Sequence, residues 1–150
     1  DSVMLRWSEV QAMREAGTFE FHSHTHTHTR WDLENIPRDQ CLARMTQEFA
    51  DSRAALTRHL GSVSAHFCWP QGHFDADYVR LAKQAGFEYL YTTIAHGQNL
   101  AGGDPACIYR FAVRNRGFPW LRQRAWLASH PVIGPLYNRW KSWKRARRAS

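Results

Sequence analysis

No stretch of this 150-residue chain approaches the roughly eighteen consecutive apolar residues that a membrane-spanning helix needs, and no leader pattern of basic then apolar residues opens it. The first residue is Asp1 and not Met, so the numbering is expected to begin inside a longer precursor and the missing leader excludes nothing about export. Cysteine is scarce. Cys41, Cys68 and Cys107 are odd in number and far apart, which excludes a disulfide framework and a two-cysteine zinc knuckle and leaves them as small, mostly buried side chains. Acid is missing from the last quarter of the chain: residues 114–150 carry ten Lys or Arg and no Asp or Glu, whereas residues 1–113 carry ten Lys or Arg against thirteen acids. At this length one core is expected and a second independent one is not.

Histidine is where the chain is rich. Four of its nine histidines alternate with hydroxyl residues in Phe21-His22-Ser23-His24-Thr25-His26-Thr27-His28. Imidazole binds zinc and similar ions through one neutral nitrogen and leaves the other to be oriented by an acceptor. Ligands must lie on one side of the chain, and residues four apart do so on a helical or looped turn. Two registers satisfy this, His22 with His26 or His24 with His28. A fully extended run would instead line up all four rings as a ladder, and a solvated low-complexity tract is the bland reading.

Periodicity arranges the rest as alternating helices and strands. Ser8-Glu9-Val10-Gln11 has the form of a capping box for a helix that stops at Gly17. A short strand at 18–21 leads into the histidine run, and Trp31 to Pro37 reads as a loop. Cys41, Met45, Phe49, Ala54-Ala55-Leu56 and Leu60 form the stripe of a long helix closed by Gly61. Val63 to Trp69 is a strand, and Asp75 caps a helix with Tyr78, Leu81 and Ala82 inward and Gly86 as its stop. Further strands are expected at 87–93 and 108–113, separated by a Gly-rich loop. This order implies an α/β fold with parallel β/α units.

Ser23-His24-Thr25-His26-Thr27-His28 resembles the metal-binding motif of the polysaccharide deacetylase family, His-Ser/Thr-x-x-His, often preceded by Ser. Phe67-Cys68-Trp69-Pro70-Gln71-Gly72, with Phe74 and the helix end Ala82-Lys83-Gln84-Ala85-Gly86-Phe87, resembles the family's aromatic-Pro-Gly block, and the two occur in family order. The similarity covers about residues 5–113. It implies a distorted (β/α)7-type barrel, of which this chain holds the later part and is incomplete at its N-terminus, followed by a basic, aromatic-containing helical segment at 114–150. It also implies a divalent metal, zinc foremost, held by His24 and His28 with His22 and His26 as alternates. Trp69, Pro70 and Phe74 are the implied sugar-binding residues. Cys68 stands where many members carry an arginine, and Arg110 is the one candidate for a catalytic role.

The family's paired aspartates, a metal ligand and a general base, do not occur in this sequence. Asp32, Asp75, Asp77 and Asp104 are the local acids, and none is assigned to the role. The implied activity is hydrolysis of acetamido groups on N-acetylated oligo- or polysaccharides, with this chain alone expected to be inactive. An envelope location accompanies it. A metal- or sugar-binding module without catalysis is the second reading. The third rests on the tail, Trp140-Lys141-Ser142-Trp143-Lys144-Arg145-Ala146-Arg147-Arg148, whose aromatics and cations suit an anionic membrane surface or another polyanion. No specific nucleic-acid partner is expected.

Overall fold

A computed structural model describes residues 4–95, 97–113 and 115–149, without the side chains of 145, 146, 148 and 149. Arg145 and Arg148 of the basic tail, and residue 114 at its expected start, therefore lie outside the described side chains or residues. Helix α1 spans Trp7–Glu15 with Arg6 as its N-cap, two residues earlier than a Ser8 cap would place it. The Glu9 carboxylate accepts the Arg6 backbone N–H at 2.7 Å, so an acid in the first turn does the capping and Ser8 lies inside the helix.

Helix α2, Arg38–Leu60, is the spine of the fold. Gly61 stops it in the left-handed conformation, at φ 75°, where a side chain is disfavoured. Its buried face carries Cys41, Met45, Phe49 and Leu60 as the period predicts, but also Glu48 and Ser52, while Ala54 faces solvent. Strand β1, His66–Cys68, pairs in parallel with β2, Tyr89–Tyr91, in the register Phe67 to Leu90. Helix α3, Ala76–Gln84, crosses between them, and the Asp75 side chain caps it by accepting the Tyr78 N–H at 2.9 Å.

The expected strands are shorter than their apolar runs. Residues 18–21 form none; the pairing begins two residues later, with a parallel bridge between Ser23 and Phe67, and Phe19 stays exposed. The strand expected at 108–113 is a single parallel bridge, Ile108 to Tyr91. Ser23, β1, β2 and Ile108 thus lie side by side in chain order, all parallel, as β/α units require. Among the described residues this ribbon is not a closed barrel. Pro70 ends the β1 ladder because it has no N–H to give. The turn that follows fits closely against the end of β2, since a Cβ on Gly72 would collide with the Thr93 side chain.

The core is aromatic. Phe49 of α2 meets Phe67, Trp69 and Phe87 at ring separations of 5.1, 6.2 and 5.8 Å, mostly edge to face, and all four are fully buried. Two further helices, α4 (Phe118–Ser129) and α5 (Ile133–Ala149), pack on each other after the sheet. No helix among the described residues is long and apolar enough to cross a membrane.

Truncating the ring that joins α2 to the sheet should cost most: Phe49→Ala is expected to lower the unfolding free energy by about 3–5 kcal/mol. Ala54→Gln, on the face that periodicity alone assigns to the core, should change it by no more than about 0.5 kcal/mol. Urea denaturation of both variants at neutral pH checks the assignment.

Candidate functional site

Ser23 turns inward from the edge of β1 and buries its hydroxyl against that of Ser52, 2.5 Å away, while its carbonyl accepts the Cys68 N–H at 2.9 Å. Alternation then sends His22 and His24 outward on either side of it. Beyond His24 the chain leaves the extended state. Thr25 and His28 are left-handed, at φ 69° and 64°, a conformation costing a non-glycine residue about 1–2 kcal/mol.

Glu48 offsets that cost. From the buried face of α2 its carboxylate accepts the backbone N–H groups of His26 and Thr27, each at 2.8 Å, the Thr27 hydroxyl, and the Trp31 indole N–H at 3.3 Å. Burial opposes ionisation of this carboxyl, but the Thr27, His26 and Trp31 donors outweigh it and hold the group below its ordinary value. The Thr25 hydroxyl accepts the His28 N–H at 3.1 Å and closes the turn.

The result is a pair. The His24 and His28 rings lie 4.9 Å apart, edge to face. His24 Nδ1 donates to the Cys68 carbonyl at 2.8 Å, which leaves its Nε2 with a free lone pair. Partial burial lowers the His24 pKa; the Cys68 carbonyl opposes this, and the neighbouring His28 and Arg110 add to it. The other two histidines go elsewhere. His22 bonds Ser64 Oγ at 2.7 Å and packs 4.8 Å from the His66 ring, and His26 enters the Glu48 clamp through its backbone with its side chain in solvent. Of the two registers, the structure brings together 24 and 28. A ladder does not form.

Two imidazoles, one oriented by a backbone carbonyl, suit a divalent ion as part of a donor set. The set is incomplete: among the described residues no three His, Cys, Asp or Glu side chains are grouped to hold an ion. The local acids are engaged otherwise. Asp32 takes a two-point bond from Arg30, at 2.6 and 2.5 Å, and lies 3.1 Å from His73 Nε2; the Arg30 bond, against burial, holds its carboxyl below the usual range and makes it a poor proton acceptor. Asp75 caps α3, Asp77 pairs with Arg38 and Arg80, and Asp104 accepts the Ala106 N–H. His130 caps the start of α5 through Nδ1.

Arg110 lies just past the Ile108 bridge rather than on a strand. Its Nε donates to the Thr92 carbonyl at 2.6 Å and its Nη1 reaches Cys68 Sγ at 3.4 Å. The residue in the expected arginine position is therefore itself touched by a guanidinium. Trp69 and Pro70 are not a sugar floor: both are buried, and the Trp69 indole stacks on Phe74 and Tyr78 inside the core. Phe74 remains partly exposed. Glu48 and Ser52 are the site residues that sequence reasoning missed. Their signal was present, since 41, 45, 48 and 52 share one helix face and two polar groups interrupt its apolar stripe.

The polysaccharide deacetylase family model matches residues 2–90. No curated protein matches the chain. Among solved structures, IcaB from Ammonifex degensii is similar at 22% identity over 82% of this chain and 53% of that one, with a TM-score of 0.67. A de-N-acetylase from Aggregatibacter actinomycetemcomitans is similar at 20% identity, over 81% and 53% of the respective chains, with a TM-score of 0.64. The BpsB deacetylase domain from Bordetella bronchiseptica gives 18%, 72%, 48% and 0.61. The chain spans about half the length of these structures, and at such identities the likeness is one of fold.

The shifts set a pH dependence. His22 and His24 titrate below the ordinary 6.5, so the unfolded chain binds more protons just under that pH; their contribution is full above 6.5 and is lost as pH falls through the folded values. Glu48, held below 4.5, contributes above that value and loses its contribution further down. Urea unfolding followed from neutral pH to about pH 3.5 should show both declines. Glu48→Gln should lower neutral-pH stability by about 1.5–3 kcal/mol and shrink the lower decline, to which Asp32 also contributes, and His24→Ala should shrink the upper one. Variants that fall in parallel with the parent would contradict the assignment.

Proposed function

Because this chain belongs to the polysaccharide deacetylase family, we propose that it supplies the histidine-bearing part of a metal-dependent carbohydrate N-deacetylase site, hydrolysing acetamido groups on N-acetylated sugar polymers. The observation that carries the reading is the convergence of His24 and His28, with His24 Nδ1 tied to the Cys68 carbonyl and Nε2 left free. The names of the neighbouring structures, a de-N-acetylase and a deacetylase domain, support the same chemistry.

Zinc suits the donors, imidazole nitrogens from a looped turn, and when bound supplies Lewis acidity that polarises an amide carbonyl and acidifies water. The residues of this chain do the positioning. Glu48 holds the turn in its left-handed form, Cys68 fixes the His24 tautomer, and desolvation keeps His24 neutral and available as a ligand. Arg110, bonded to Thr92 and Cys68, brings its guanidinium to the place where the family resemblance expects an arginine, and acts there as a positioning residue for a carboxylate base. That base and the third ligand come from outside the described residues of this chain. The 150 residues alone therefore hold an ion weakly and do not turn over substrate.

Calorimetric zinc titration of the chain should give one weak site that His24→Ala and His28→Ala each abolish and that His26→Ala leaves intact. With the carboxylate set present, acetate release from N-acetylated chitooligosaccharides should depend on a divalent ion and fall at least about a hundredfold in His24→Ala. Arg110→Met should lower kcat more than it raises KM, with partial recovery in Arg110→Lys. Tight sugar binding with no acetate release under any metal would instead mark a binding module.

A further inference from the structure

Beyond the histidine pair, α4 and α5 close over the ends of the strands and leave a cavity of about 600 Å3. Four cations line it, Arg110, Arg116, Arg124 and Lys141, together with the rings of Trp120 and Tyr137. No acid lines it, and among the described residues none of the four forms an ion pair with a carboxylate.

What holds these side chains orients them without neutralising them. Arg124 donates to the Ala95 carbonyl at 2.6 Å and lies 5.2 and 5.4 Å from the Phe111 and Tyr137 ring centres. Lys141 stands 5.5 Å from Tyr137, and Arg116 stands 5.8 Å from Trp120. Arg110 is fixed by the Thr92 carbonyl. Ring faces and carbonyl oxygens are partners without net charge, so the full positive charge of each head remains. Like charges gathered on one cavity repel, and the field inside a low-dielectric cleft is focused rather than dispersed. An oxyanion is the partner that this arrangement lacks, and guanidinium groups present the planar pairs of donors that carboxylates and phosphates accept.

The cavity shares a wall with the histidine site. Arg110 lines the one and touches Cys68, whose carbonyl orients His24 in the other. Its volume falls within the range of sites that enclose small ligands, and aromatic faces among the cations suit the apolar face of a pyranose ring. We propose that this cavity is a subsite for an oxyanion substituent, a carboxylate or phosphate, on the N-acetylated glycan, so that the substrate is an acidic polymer rather than a neutral one. The proposal rests on the deacetylase reading and narrows its substrate class.

The test uses the chain and two soluble probes that share acetamido groups and differ in charge: hyaluronan tetrasaccharide, which carries carboxylates, and the neutral, fully N-acetylated chitotetraose. Calorimetry at low salt should show hyaluronan bound about tenfold more tightly, a preference that shrinks as salt is raised. Arg116→Gln with Lys141→Gln should erase the preference and leave chitotetraose binding unchanged, whereas Arg116→Lys with Lys141→Arg, which keeps the charge, should retain it. Equal affinities in the parent, or a preference that survives the glutamine pair, overturn the proposal while leaving the deacetylase reading standing. Failure of both sugars to bind overturns the proposal and leaves the deacetylase reading to its own test, acetate release with the carboxylate set present. Capture by phosphatidylglycerol vesicles without preference between the sugars overturns it in favour of a lipid surface.

Discussion

The buried carboxylate of Glu48 is the constraint on which the site depends. An ionised acid on the core-facing side of a helix is costly unless its oxygens are fully engaged, and here two backbone amides, a hydroxyl and an indole engage them. The dependence runs both ways. The turn of residues 25–28 contains two left-handed non-glycine residues and lacks strand partners for the His26 and Thr27 amides, so without Glu48 those amides would have to seek water and the backbone would relax toward the extended form. In that form alternate rings project in parallel. The clamp is what converts a histidine ladder into a facing pair.

Much of this was legible because it is periodic or local. The α2 stripe, the Asp75 cap and the parallel order of elements follow from spacing and from single residues acting on their neighbours. The choice between the two histidine registers was not legible, since it depends on Glu48, twenty or so positions away, and on the Cys68 carbonyl, more than forty away. Helix period puts Glu48 on the buried face of α2, but nothing local says which amides its carboxylate engages. Trp69 was misread for a related reason: an indole after a strand suits a sugar floor or a core equally well, and the stacking of Phe74 and Tyr78 on it decides for the core. The shorter strands have a simpler cause. An apolar run sets how far a strand can extend, while pairing extends only as far as a neighbouring ladder does.

Cys68 joins the two halves of the site through different atoms. Its N–H bonds Ser23, its carbonyl bonds His24 and its thiol meets Arg110. A larger side chain at 68 would displace the guanidinium, and an arginine there would duplicate its charge. Cysteine at 68 and arginine at 110 are therefore two parts of one arrangement, with the cation delivered from the far side of β2.

That arrangement raises a question of sign. On the proposed metal-dependent reading, the Arg110 guanidinium beside the imidazole pair would oppose the arrival of a metal cation. Burial first, and then the His28 and Arg110 charges, lower the proton affinity of His24, which favours the neutral ring but does nothing to attract an ion. Carboxylates must restore the balance. On the proposed reading a metal would need at least one as ligand and the hydrolysis one as base, and Arg110, held by the Thr92 carbonyl and Cys68, would lie near it. A glycan oxyanion in the neighbouring cavity would offset the remaining positive charge as substrate enters. On this view the excess of basic residues after residue 113 is one side of an electrostatic pair whose other side is divided between enzyme carboxylates and substrate, and the site reaches neutrality only when both are in place.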